Sequence, residues 1–139
     1  MDVLTPDQRR KTMAAVKSKN TKPELLVRRL LHAAGYRFRL HRVDLPGKPD
    51  IVLPKYRTVI FVNGCFWHQH PHCRRATRPA SSQNYWQEKL DRNVERDKTT
   101  IAALQRLGWN VVVVWECETR NVAQLSKDLV SIFEQHLST

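Results

Sequence analysis

Pro49-Asp50-Ile51-Val52-Leu53-Pro54-Lys55-Tyr56-Arg57-Thr58-Val59-Ile60-Phe61-Val62-Asn63 is the stretch that decides how this chain folds. Asp50-Ile51-Val52-Leu53 and Thr58-Val59-Ile60-Phe61-Val62 are short apolar runs rich in β-branched residues, and Pro54-Lys55-Tyr56-Arg57 between them is a tight connection. Such runs, bounded by turn residues, read as strands, the second of them buried. The segment after them is a loop of a different kind. Gly64-Cys65-Phe66-Trp67-His68-Gln69-His70-Pro71-His72-Cys73 packs two thiols, three imidazoles and two large aromatics together. A loop leaving a buried strand is where a rigid scaffold can hold chemistry.

Upstream, Thr21-Lys22-Pro23-Glu24 has the capping-box spacing, with Glu24 three residues after Thr21. Leu25, Leu26, Leu30, Leu31 and Ala34 then recur at helical spacing until Gly35. Residues 36–41 alternate aromatic or apolar with basic side chains, as a half-buried strand does, and Leu45-Pro46-Gly47-Lys48-Pro49 is a turn. Before all this, residues 4–18 read as a polar surface helix, with Thr5 as cap, Pro6 in its first turn and Met13, Ala14 and Val16 as a thin apolar stripe.

Downstream, residues 82–107 carry a long helical pattern through Trp86, Leu90, Val94, Ile101, Leu104 and Leu107, closed by Gly108. Residues 110–115 form a β-branched strand, and residues 122–137 an amphipathic closing helix. Past the arm the order is α-β-β-β-α-β-α. It predicts a mixed α/β sheet flanked by helices, an order that fits the core of the restriction-endonuclease-like nucleases. The expected division is a basic arm over residues 1–20 and one domain over residues 21–139.

The net charge of +11 is uneven, because residues 1–42 hold eleven Lys/Arg against three Asp/Glu and so +8 of the total. A basic stretch of this kind points to a polyanion, most simply nucleic acid. No apolar run is long enough to cross a bilayer and no signal-peptide core opens the chain, so a soluble cytoplasmic protein without membrane partners is expected. Three cysteines, an odd number, argue against a disulfide framework and for metal ligation in a reducing compartment.

Cys65, His70 and Cys73, with Cys117 after the last strand, suit zinc, with His72 competing with His70 for one position. Four protein ligands would close the tetrahedron and make the site structural. Hydrolysis of a phosphodiester needs a hard cation such as Mg²⁺ at the phosphate, and Asp50, at a strand opening, is the candidate carboxylate. The alternative is an Asp50 that caps the turn after Lys48-Pro49. His68 has the pKa range of a general base near neutrality, though it could also be a further zinc ligand. Glu24 could approach from its helix, although the capping box already explains a Glu there. Asp97 and Glu95 read as solvated helix residues.

Taken together these residues resemble the very short patch repair (Vsr) mismatch endonucleases. The resemblance spans most of the chain, through Thr21-Lys22-Pro23-Glu24, Leu45-Pro46-Gly47-Lys48-Pro49-Asp50, Phe61-Val62-Asn63-Gly64-Cys65-Phe66-Trp67-His68, Asn93-Val94-Glu95-Arg96-Asp97, and Gly108-Trp109 followed by Val114-Trp115-Glu116-Cys117. Five pieces in this order are specific where each alone is weak. The resemblance implies a DNA endonuclease with a restriction-endonuclease-like core, one structural zinc and Mg²⁺-dependent hydrolysis; a monomer at the bacterial nucleoid is expected. It nicks duplex DNA 5′ of the thymine in a T·G mismatch left by 5-methylcytosine deamination, with other DNA repair proteins as further partners. It assigns Asp50 and the Val62 carbonyl to Mg²⁺, His68 as base, and Glu24 to water at that metal.

The same resemblance gives Phe66, Trp67 and Trp86 as an aromatic platform that enters the base stack, and Met13 of the arm as a wedge from the opposite groove. Unstacking a step costs a few kcal/mol, less at a mismatch. Lys89 and Asn93 match positions that face the mismatch. Two departures matter. Val62 and Asn63 stand where some members carry Thr and His; a backbone carbonyl survives the first change, but neutral Asn63 cannot act as acid or base, so either it only orients phosphate or water, or activity here is weaker. One extra residue between His70 and Cys73 keeps His70 in register from the Cys65 side, which favours His70 over His72. The competing expectations are a restriction-type nuclease without a mismatch requirement and a non-catalytic, zinc-stapled DNA-binding module.

Overall fold

The structure, a computed structural model, describes residues 20–137. The helix expected over residues 4–18, with Met13, lies outside the described residues, as does nearly all of the expected arm.

Helix α1 spans Lys22–Ala33 and is followed by strands β1 (Arg39–Leu40), β2 (Ile51–Leu53) and β3 (Thr58–Asn63). Helix α2 (Gln83–Arg106) then crosses over to β4 (Asn110–Trp115), and α3 (Val122–Leu137) closes the chain. The four strands lie in the order β1-β2-β3-β4. The first three pair antiparallel, and β3 pairs parallel with β4. Two parallel neighbours need a long crossover, and α2 supplies it. The element order agrees with that read from the sequence.

Alternation along the strands sorts the core into two faces. Ile51, Leu53 and Ile60 pack with Val27 and Leu31 of α1 and with Leu125, Leu129 and Phe133 of α3. Val52 and Val59 face the other way, onto Leu104 and Trp109. The sheet is thus covered on both faces, which is why β2 and β3 are nearly continuous apolar runs.

Strand β1 is shorter than expected. Tyr36 turns instead onto Phe133 and Tyr56, with ring centroids 4.8 and 5.6 Å away, and His41 leaves the strand at φ +48°. At Gly47 the turn runs so close to α2 that a Cβ would collide with Thr100, and φ there is +72°. Only glycine meets both conditions without strain. This contact sets the approach of the 45–49 turn to α2 just before Asp50.

Candidate active site

Asp50 sits where β2 begins, and the N–H of Val62 donates to its Oδ2 at 2.8 Å. The β2–β3 hairpin register makes this contact, because Ile51 lies opposite Ile60 and brings the end of β3 beside the start of β2. It is the Val62 amide, then, that fixes the carboxylate.

Glu24 is buried at 1% exposure. Thr21 Oγ1 accepts the Glu24 N–H at 3.3 Å, as a capping residue should. The reciprocal half of the box is shifted by one residue, since Glu24 Oε1 accepts from the Asn20 N–H at 3.2 Å. The same carboxylate meets Arg28 at 3.4 Å and His41 Nε2 at 2.9 and 3.1 Å. Capping and site-building therefore use one side chain. His41, absent from the sequence-derived set, lies beside Asp50 and donates its backbone N–H to the Asp50 carbonyl at 3.0 Å.

Burial pushes the Asp50 carboxyl up from its ordinary 3.8 to about 6. The Val62 N–H pulls it down, the Glu24 carboxylate pushes it further up, and positive charge on His41 or His68, when protonated, pulls it down. A crowded carboxylate whose ionisation is penalised is well matched to a cation. The folded chain holds the Asp50 proton more tightly than the unfolded chain, so stability falls as pH rises from about 4 through about 6. Asp50→Asn, which keeps an acceptor for Val62 but carries no charge, is therefore expected to stabilise the protein in Mg²⁺-free buffer at pH 7. After allowance for partial exposure the gain is about 2 kcal/mol. Denaturant melts at pH 7 and pH 4 check this, the advantage shrinking at the lower pH.

His68 comes from the loop after β3, and its Nδ1 meets Asp97 Oδ2 of α2 at 2.7 Å. A carboxylate only accepts, so Nδ1 carries the hydrogen and Nε2 of the neutral ring is left as a base. Asp97, read from the sequence as a solvated helix residue, is thus a partner across the fold. Asn63, at 9% exposure, closes β3.

The four sulfur and nitrogen donors of Cys65, His70, Cys73 and Cys117 lie within 4.8 Å of one another. His70 Nδ1 is 3.5 Å from Cys117 Sγ, close to the edge of about 3.6 Å expected between S and N ligands on tetrahedral zinc. The cluster is compatible with zinc in both donor type and spacing. His72 is exposed and outside it. Trp115 stacks on His70 at 4.2 Å and 12° between ring planes, which fixes the imidazole. Burial, then the neighbouring thiols of Cys117 and Cys73, push Cys65 up to about 12. Without a cation this thiol stays protonated, and metal binding would release its proton.

Phe66, Trp67 and Trp86 form one aromatic cluster, with centroids 5.0, 5.4 and 6.1 Å apart, and Tyr85 joins it at 4.9 Å from Trp86. Trp86 is its buried floor at 8% exposure, and its indole N–H has no partner among the described residues. Tyr85 is the exposed member, and Phe66 and Trp67 are half-buried above that floor. Asn93 donates its Nδ2 to the Trp67 carbonyl at 3.1 Å and so braces the loop. Lys89 lines a groove along α2 with Tyr85, Glu88, Arg92, Asn93 and Arg96. Gln69 adds a brace that the sequence did not reveal, donating to the carbonyls of Phe66 and Ala76 and accepting from Arg78.

Residues 1–75 match the family model described as DNA mismatch endonuclease Vsr. The chain belongs to the Vsr family. The DNA mismatch endonuclease Vsr of Escherichia coli is 42% identical over 130 residues, covering 94% of this chain and 83% of that one. The type II nicking enzyme V.XorIIP of Xanthomonas oryzae pv. oryzae is 52% identical over 133 residues, covering 96% and 97%. Among solved structures, the catalytic domain of the homing endonuclease I-Bth0305I matches with a TM-score of 0.59 at 21% identity, over 84% of this chain and 98% of that domain. That likeness shows a shared fold. As a Vsr-family DNA endonuclease the chain acts on DNA. Among the described residues no helix is long and apolar enough to cross a membrane.

Proposed function

We propose that this chain is a monomeric Mg²⁺-dependent endonuclease, with a restriction-endonuclease-like core, that nicks duplex DNA 5′ of the thymine of a T·G mismatch produced by 5-methylcytosine deamination. The observation that carries the reading is the loop after β3. It carries His68, paired with Asp97 of α2, and, on adjacent residues, the aromatic surface of Phe66 and Trp67. The name of the Escherichia coli relative supports the mismatch and that of the Xanthomonas relative supports the nick.

Asp50, with the Val62 carbonyl, would hold Mg²⁺, which when bound supplies charge neutralisation at the phosphate and activation of water. The Val62 N–H keeps the Asp50 carboxylate in place. Glu24 orients water, His68 Nε2 takes its proton, and Asp97 holds the imidazole in the tautomer that can do so. Asn63 orients phosphate or water and moves no proton. Cys65, His70, Cys73 and Cys117 hold a structural zinc that braces the loop. Phe66 and Trp67 wedge into the disturbed stack over the floor of Trp86, while Lys89, Asn93 and the arm with Met13 engage the duplex.

Asp97→Asn is expected to slow nicking by about 10²-fold, the lower range for general-base catalysis, with little change in DNA affinity. Single-turnover rates and binding isotherms on the same duplex check it.

The proposal is tested on a T·G duplex with each strand labelled separately. Cutting of the T strand alone, immediately 5′ of the mispaired T and only with Mg²⁺, is expected. Cutting of both strands, or of the G strand, rejects it. The second reading, a nicking enzyme indifferent to pairing, is favoured by the name of the 52% identical relative. Equal nicking of a matched duplex selects it.

A further inference from the structure

The Glu24 carboxylate, the Asp50 carboxylate and the His41 imidazole bring three donor atoms within 4.8 Å of one another. We propose that His41 and Glu24 both coordinate the Asp50 cation directly, Glu24 binding the ion where the proposed function has it orient water, and that the His41 nitrogen biases the site toward Mn²⁺ over Mg²⁺. This rests on the reading of Asp50 as a cation ligand under the proposed function.

Three observations carry it. The spacing fits one ion: in an octahedron with bonds of about 2.1 Å, adjacent ligands stand about 3.0 Å apart and opposite ones about 4.2 Å. His41 Nε2 and Glu24 Oε2 are 2.9 Å apart, with Nε2–H donating to the carboxylate; a cation there would replace that proton between two atoms already at adjacent-ligand spacing. The groups are also held from outside the site. Val62 fixes Asp50, Arg28 and the Asn20 amide hold Glu24, and the Asp50 carbonyl receives the His41 N–H. Such outer partners are what orient ligands at a metal. Lastly, His41 takes φ +48°, uncommon for a residue other than glycine. That conformation ends β1 and places the imidazole over Glu24, 17 residues back in the chain.

The donor chemistry then sets the preference. Two carboxylates and water suit Mg²⁺, Mn²⁺ and Ca²⁺ alike, whereas imidazole binds transition ions better and contributes little to Mg²⁺. A neutral imidazole in the set therefore separates Mn²⁺ from Mg²⁺.

The test uses the full, zinc-loaded chain and titrates Mn²⁺ and Mg²⁺ into the wild type, His41→Ala, His41→Gln and Asp50→Ala. Free Mn²⁺ is followed by electron paramagnetic resonance, and bound Mn²⁺ by its ¹⁴N couplings. His41→Ala and His41→Gln are expected to weaken Mn²⁺ by about tenfold or more, the least that loss of a supporting partner costs at a metal site. Both should remove a histidine ¹⁴N coupling present in the wild type and alter Mg²⁺ affinity much less. Unchanged Mn²⁺ affinity with the ¹⁴N coupling retained in both variants overturns the role of His41. If Asp50→Ala then still abolishes Mn²⁺ binding, the reading of Asp50 stands without His41. If Asp50→Ala leaves both binding and nicking intact, the reading of Asp50 falls and the His41 proposal with it. His41→Gln retains a polar side chain beside Glu24, so a folding defect confined to His41→Ala does not prevent the comparison.

Discussion

Replacing Asp50 by Ala is expected to lower the nicking rate on a T·G duplex by at least about 10³-fold, since a cation's stabilisation of the reacting phosphate is worth several kcal/mol and each 1.4 kcal/mol is tenfold. DNA affinity should change little, because basic side chains in contact with phosphate dominate binding. The side chain lies between β2 and β3, where the Val62 amide donates to it. The fold should survive, and removal of a penalised carboxylate should help it at neutral pH. Single-turnover nicking and salt-matched binding separate the two effects. Retained nicking in a folded Asp50→Ala protein removes Asp50 from the mechanism.

Cys73→Ser is expected to release the proposed zinc and to unfold the chain, or leave it so loosened that no cooperative melt remains at 25 °C. Structural zinc contributes on the order of 10 kcal/mol to folding, comparable to the whole net stability of a domain this size. The four donors staple the loop after β3 to the turn after β4, and the His70–Trp115 stack adds to the same junction. Metal analysis of the purified wild type should give one zinc per chain, and thermal melts of both proteins complete the test. Zinc-free wild type with an undiminished melt would remove this ligand set.

These expectations were readable from the sequence to different depths. Strands β2 and β3 were legible because burial on both sheet faces leaves no polar position inside them, and α2 because its apolar residues recur over many turns. The candidate zinc donors stood out because thiols and imidazoles so closely spaced have little other use in a loop. His41 was not legible. Its partner lies on another element, and the left-handed turn that aims it has no sequence mark of its own. Asp97 was hidden by its company, for acids on a long, highly charged helix are mostly solvated, and only the folded loop brings His68 to it. At Glu24 the spacing announced a cap, and the cap exists in part; an approach to the Asp50 site was also expected, but nothing in the pattern pointed to His41 as the partner of the carboxylate. Local patterns reveal what neighbours in the chain do together. Contacts made through the fold, 17 or 29 residues apart, do not show in them.

The most direct measurement is the ratio of single-turnover nicking rates on two duplexes of one sequence, differing only in whether the target thymine faces guanine or adenine, in Mg²⁺ with zinc-loaded protein. Wedging into a paired step costs a few kcal/mol and into a mismatched one less, and a saving of about 1.4 kcal/mol is tenfold, so a preference for T·G of about tenfold or more is expected. Equal rates on the two duplexes, or no hydrolysis of either, would contradict a mismatch-directed nick.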